Sequence, residues 1–116
     1  MIYKCYEILK FCYRYLLIGC AIVWSIVVTE DFMKKLRKMG IYKRVISYLA
    51  GLAEMLEKEP NRVLEVLRYN PVIFSIGEYS VRRCRVGKYR LFYIIMDDKK
   101  LIVFFDVKPR RKAYRR

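Results

Sequence analysis

The chain of 116 residues contains no histidine. The commonest general base and the commonest metal ligand are therefore missing together. Its four cysteines, Cys5, Cys12, Cys20 and Cys84, form no C-x-x-C pair, and no histidine can complete a zinc site with them. No metal or other cofactor is expected. Three of the four lie in an apolar N-terminal stretch, where a free cysteine behaves as a small hydrophobe. Reduced, buried thiols suit a cytoplasmic compartment. Also missing are a Gly-rich phosphate loop, a pair of catalytic carboxylates, a Ser-His-Asp arrangement, internal repeats and any low-complexity linker. Acidic residues are scarce, 11 against 25 Lys and Arg, which leaves a net charge of +14.

A hydrophobic fraction of 56% permits a packed core and argues against global disorder. The length allows one domain. The charge points to a polyanion as partner: nucleic acid, an anionic membrane surface or an acidic protein. Residues 80–116 hold 13 basic and 3 acidic residues, so most of the excess lies in the last third.

Residues 1–23 read as an apolar, amphipathic extension. Lys4, Glu7, Lys10 and Arg14 recur at helical spacing, and the predominantly apolar run over 11–28 approaches membrane-span length. Glu7 and the lack of a small-residue cleavage pattern after Val23 speak against a signal peptide. This extension could be an added helix, a membrane-surface anchor or a segment upstream of a start at Val23. Membrane contact through 1–23 is not the favoured reading. A start at Val23 would give Met followed by Trp-Ser-Ile-Val-Val, and predicts that the domain over 24–116 folds without the extension.

Residues 24–29 are rich in β-branched side chains and predict a strand. Thr29 then caps a helix whose first turn carries Glu30 and Asp31, where the helix dipole favours acids. Gly40 ends it. A second helix is expected over 41–57, with Val45, Leu49, Leu52 and Leu56 on one stripe. A short third follows over 61–69 and stops at Asn70-Pro71. After Pro71 the period becomes two. Strands are expected over 78–86, 89–96 and 101–107, joined by Gly87-Lys88 and by 97–100. The fold class is α+β: an N-terminal strand, then two to three helices packed on a curved antiparallel sheet, in the order β-α-α-β-β-β. The open face of that sheet would carry the basic residues of the hairpin.

The run Arg83-Cys84-Arg85-Val86-Gly87-Lys88-Tyr89-Arg90-Leu91-Phe92-Tyr93 resembles the R-x-R-V-G-x-Y-R-x-x-Y signature of the RelE/ParE toxin superfamily. Asp97-Asp98-Lys99-Lys100 matches the family's turn. Val107, Arg110 and Tyr114 resemble its closing V-x-x-R-x-x-x-Y. The three elements occur in the right order over 24–116. The resemblance implies a small RelE-like toxin, held by a small acidic antitoxin, that cuts mRNA in the ribosomal A site. By the same resemblance Arg83, Arg90, Arg110 and Tyr114 are catalytic candidates. Arg82, Arg85, Lys88, Arg111 and Lys112 are candidate RNA contacts. Two departures stand out. Val81 occupies the place of a strand lysine in the founding member, with Arg82 or Arg85 as possible substitutes, and the last motif is two residues shorter. Non-nuclease readings are a ParE-like gyrase inhibitor, or a degenerate module that binds RNA or protein.

The chemistry is coherent with the residue types. RNA supplies its own nucleophile, the 2′-hydroxyl, which DNA lacks. The protein must align it, neutralise the phosphate and manage a proton. Arginine clamps phosphate through its planar fork, but with a pKa above about 12 it is no base. Tyrosine, with a pKa of about 10 that nearby cations lower, is the natural proton carrier.

Overall fold

The computed structural model describes the backbone of residues 15–20 and all of residues 24–109. Among these described residues, six strands and three helices follow in the order β1 (Tyr15–Cys20), β2 (Ser25–Thr29), α1 (Glu30–Met39), α2 (Tyr42–Lys58), α3 (Pro60–Tyr69), β3 (Val72–Ile76), β4 (Tyr79–Val86), β5 (Tyr89–Met96) and β6 (Leu101–Pro109). The expected helix spacing of Lys4, Glu7, Lys10 and Arg14 lies outside the described residues.

The elements expected over 24–107 are all present, and α1 begins as its sequence dictates. The Thr29 hydroxyl accepts a hydrogen bond from Phe32 N at 3.1 Å, satisfying a donor that the helix cannot. Gly40 closes it at φ 73°, and Ile41 N reaches back to Leu36 O at 3.0 Å. That left-handed turn with its long return bond is a Schellman-type stop, and glycine adopts it without steric cost. Ile41 is buried as a result, and α2 sets off in a new direction.

Two strands were not expected. β1 pairs antiparallel with β2, and β3 pairs antiparallel with β4. The sheet order is β1-β2-β6-β5-β4-β3. The expectation of a purely antiparallel sheet needs correction, because β2 runs parallel to β6, Ser25 opposite Leu101 through Val28 opposite Phe104. The physical reason is the long connection. Three helices and two hairpins intervene between β2 and β6, which is enough chain to return in the same direction.

The helices cover one face of the sheet. Phe32, Leu36, Val45, Leu49, Leu64 and Leu67 pack there on Ile26, Val28, Leu91, Tyr93, Ile102 and Phe104. The Tyr93 and Phe104 rings lie 5.1 Å apart, and Phe32 adds a third ring 6.3 Å from Phe104. The Tyr93 hydroxyl donates to Leu67 O at 2.6 Å and accepts from Asn70 Nδ2 at 2.8 Å. This anchors the end of α3 to the centre of the sheet. Burial pushes the Tyr93 phenol up to about 12.

The opposite face is only partly what the alternation predicts. One half is apolar: Val27, Val81, Ile94, Met96, Leu101 and Val103 are buried there. The basic residues occupy the other half, toward the β4–β5 turn.

Candidate functional site

Side chains alternate across a strand, so register decides which basic residues meet. Arg85 of β4 lies opposite Arg90 of β5, and Arg90 lies opposite Lys108 of β6. These three form one row across the open face. The next row on the same face is Arg83, Phe92 and Asp106. Four cations thus gather over two rows at one end of the sheet. Like charges directly opposite one another in a sheet are destabilising, so such a row is not chosen for stability. Arg90 is only 4% exposed, whereas Arg85 and Lys108 are exposed and Arg83 is half-buried. The field of a guanidinium so buried is less screened than at an open surface. Phe92 forms a flat apolar floor, with Lys108 Nζ 5.7 Å from its ring centroid.

The bulge in β6 shapes this corner. Phe92 pairs with Asp106 and Tyr93 with Phe104, so Phe105 is the extra residue. Asp106 is turned toward α1, where its carboxylate pairs with Lys35 and accepts from Val107 N at 2.8 Å. The one acid in these rows is therefore engaged with α1.

The structure brings together Arg83, Arg85 and Arg90 from the expected set. Lys88 sits exposed in the turn that joins β4 to β5. Arg82 does not join them. It faces the helical side, where Nη1 donates to Asn70 O at 2.6 Å. It lines a cleft of about 470 Å³ at the far end of the sheet, together with Arg68, Tyr79, Asp97 and Asp98. Val81, where the founding member carries lysine, is fully buried opposite Ile94. Arg110, Arg111, Lys112 and Tyr114 follow Pro109 in sequence and lie outside the described residues. Pro109 itself pairs with Tyr89, at the basic end of the sheet.

Sequence reasoning missed Lys108 and Phe92. Lys108 lies one residue past the expected strand, and only the bulge at Phe105, which the alternation does not announce, turns it to the open face beside Arg90. Cys84 is on the helical face, with the Tyr48 hydroxyl 3.8 Å from its sulfur, and burial raises its thiol to about 11. It is a packing residue and a poor nucleophile. Among the described residues, no group of three Asp, Glu, Cys or His side chains is placed to hold a metal ion. No helix among them is long and apolar enough to cross a membrane.

Residues 26–114 match the family described as ParE toxin of type II toxin-antitoxin system, parDE. A relative from Methanocaldococcus jannaschii, named RelE1 and assigned as a toxin, is 32% identical over 82 residues, covering 65% of this chain and 91% of the relative. The fold is similar to a chain in the crystal structure of the archaeal RelE-RelB complex from Pyrococcus horikoshii OT3. That similarity has a TM-score of 0.52 at 23% identity and covers 77% of this chain and 97% of the other.

Proposed function

Since this chain belongs to the ParE toxin family of type II toxin-antitoxin systems, within the RelE/ParE superfamily, we propose that it is a RelE-type endoribonuclease toxin. Its substrate is mRNA held in the ribosomal A site, and a small acidic antitoxin restrains it. The observation that carries the reading is the row Arg85, Arg90 and Lys108 beside Arg83 and Phe92 on the open face. A cationic row next to an aromatic floor suits a phosphodiester and its adjoining base.

In this mechanism the 2′-hydroxyl attacks the adjacent phosphorus and the 5′-oxygen of the next nucleotide leaves. Arg90 and Arg83 hold the non-bridging oxygens and absorb the developing charge. Tyr114 moves the proton. No cofactor is invoked, because the nucleophile belongs to the substrate. Dependence on the ribosome follows from the weakness of an isolated tyrosine as a base; the ribosome holds the mRNA in the reactive geometry.

The test is cleavage of mRNA on programmed ribosomes. Arg90→Ala and Tyr114→Phe are each expected to slow cleavage by about a hundredfold or more. A well-folded wild-type protein that cuts nothing would sink the reading. Gyrase inhibition is the second reading, favoured by one feature: the apolar half of the open face, with Val81 where the founding member has lysine. A supercoiling assay addresses it directly.

A further inference from the structure

The positive charge does not stop at the open face. Arg37, Tyr42, Lys43 and Arg44 line a cleft of about 560 Å³ where α1 turns into α2. The Arg37 guanidinium lies over the Tyr42 ring, 4.8 Å from its centroid. The Arg44 guanidinium lies over Gly87 in the β4–β5 turn, so close that a Cβ there would stand 3.0 Å from Cζ. Lys88 is the next residue of that turn. The start of α2 and the tip of the hairpin therefore form one basic surface, which continues round the tip to Arg85 and Arg90.

Three observations mark this surface as built for a polyanion. First, among the described residues no carboxylate forms an ion pair with Arg37, Lys43, Arg44 or Lys88. Second, the acids are elsewhere: Glu30 and Asp31 open α1, Asp106 is engaged by Lys35, Glu54, Glu57, Glu59 and Glu65 follow along α2 and α3, Glu78 is in the β3–β4 turn, and Asp97 and Asp98 are in the β5–β6 turn. Third, the first turn of α2 carries Lys43 and Arg44 and no acid. Cations there oppose the helix dipole, so they are not placed for helix stability. A chain of regularly spaced phosphates satisfies four cations that share no common centre; a single small anion does not.

We infer that the α1–α2 turn and the β4–β5 tip form a second RNA-binding surface, which docks structured RNA by its backbone while the open face does the cutting. Arg37, Lys43, Arg44 and Lys88 are its phosphate contacts. The inference rests on the RNA reading of the open face, but it is tested through binding.

The test compares two variants of the full chain with equal loss of charge. One is Lys43→Gln/Arg44→Gln/Lys88→Gln. The other is Lys58→Gln/Arg62→Gln/Lys99→Gln, whose cations pair with Glu54, Glu59 and Asp98. The probe is a fluorescein-labelled RNA hairpin, titrated over a range of salt, with circular dichroism to establish folding. The tip variant is expected to bind about tenfold more weakly at low salt, with a log–log salt slope flatter by about 2–3, for three contacts at roughly 0.7–0.9 each. The control is expected to stay within about twofold of wild type, since charges far from the RNA are screened beyond about 10 Å. On programmed ribosomes the tip variant should raise KM more than the control does. Equal weakening by both variants, or unchanged affinity of the tip variant, overturns the inference. So does unchanged RNA affinity with lost binding to a poly-glutamate peptide, which would assign the surface to an acidic protein. If wild type cuts nothing and the tip variant still loses RNA, the nuclease reading fails and this one stands.

Discussion

Gly87 is a residue where backbone and site meet. Its φ of 62° is left-handed, and the Arg44 guanidinium occupies the space of any side chain there. Gly87→Ala should cost about 1–2 kcal/mol in backbone strain alone, measured by urea denaturation, and should displace Arg44 from the tip. Thr29→Ala removes the cap of α1 and should cost about 1 kcal/mol. Tyr93→Phe keeps the ring packing but leaves Leu67 O without its donor, for about 1–2 kcal/mol. The buried phenol and thiol also set an alkaline limit. Tyr93 is raised to about 12 and Cys84 to about 11, so the folded state binds these protons more tightly than the unfolded one. Their stabilisation is full below the unfolded values of about 9–10 and is lost as pH rises through 11 and 12. Thermal melts should therefore show Tm falling above about pH 9, with the fall reduced in Cys84→Ala.

The helices and the β4–β5–β6 meander were legible because each carries its own punctuation: Thr29, Gly40, Asn70-Pro71 and Gly87-Lys88. β3 was not, because Val72-Ile73-Phe74-Ser75-Ile76 has no polar alternation, and it lies on the sheet edge with every residue exposed. Phe74 is 47% exposed and Ile76 the same, so their hydrophobicity reports no buried face. β1 was hidden for a different reason. An apolar run beside charges at helical spacing reads as helix or membrane segment, and only its partner β2 shows it to be a strand. We propose that 24–116 still folds without the extension, since β2 keeps β6 as its inner neighbour. A chain starting at Trp24 should give the same circular dichroism as the full chain, with a lower urea midpoint from the lost edge strand. A random-coil spectrum would refute this.

Across the whole molecule, charge is polarised. Cations gather at the β4–β5 tip and acids at the β5–β6 turn and along α2 and α3. Composition predicts a polyanion partner, and the hairpin signature picked out Arg83, Arg85 and Arg90, which the register gathers on the open face. Lys108 and Arg44 were out of reach, since the first lies one residue beyond the expected strand and past a bulge, and the second depends on a helix folding back over a turn 43 positions away. The pole should also steer encounter, so the association rate with RNA is expected to fall steeply as salt rises while dissociation changes less. A stopped-flow titration separates the two. The parallel pairing of β2 with β6 reaches further, into how the protein is made. Synthesis runs from the N-terminus, so β2 waits for the last strand before its inner edge is satisfied. Non-local pairing of this kind is slow and comes late. The basic row is completed by Lys108 of that same strand, so a nascent chain has no assembled site while β6 is still inside the ribosome that makes it.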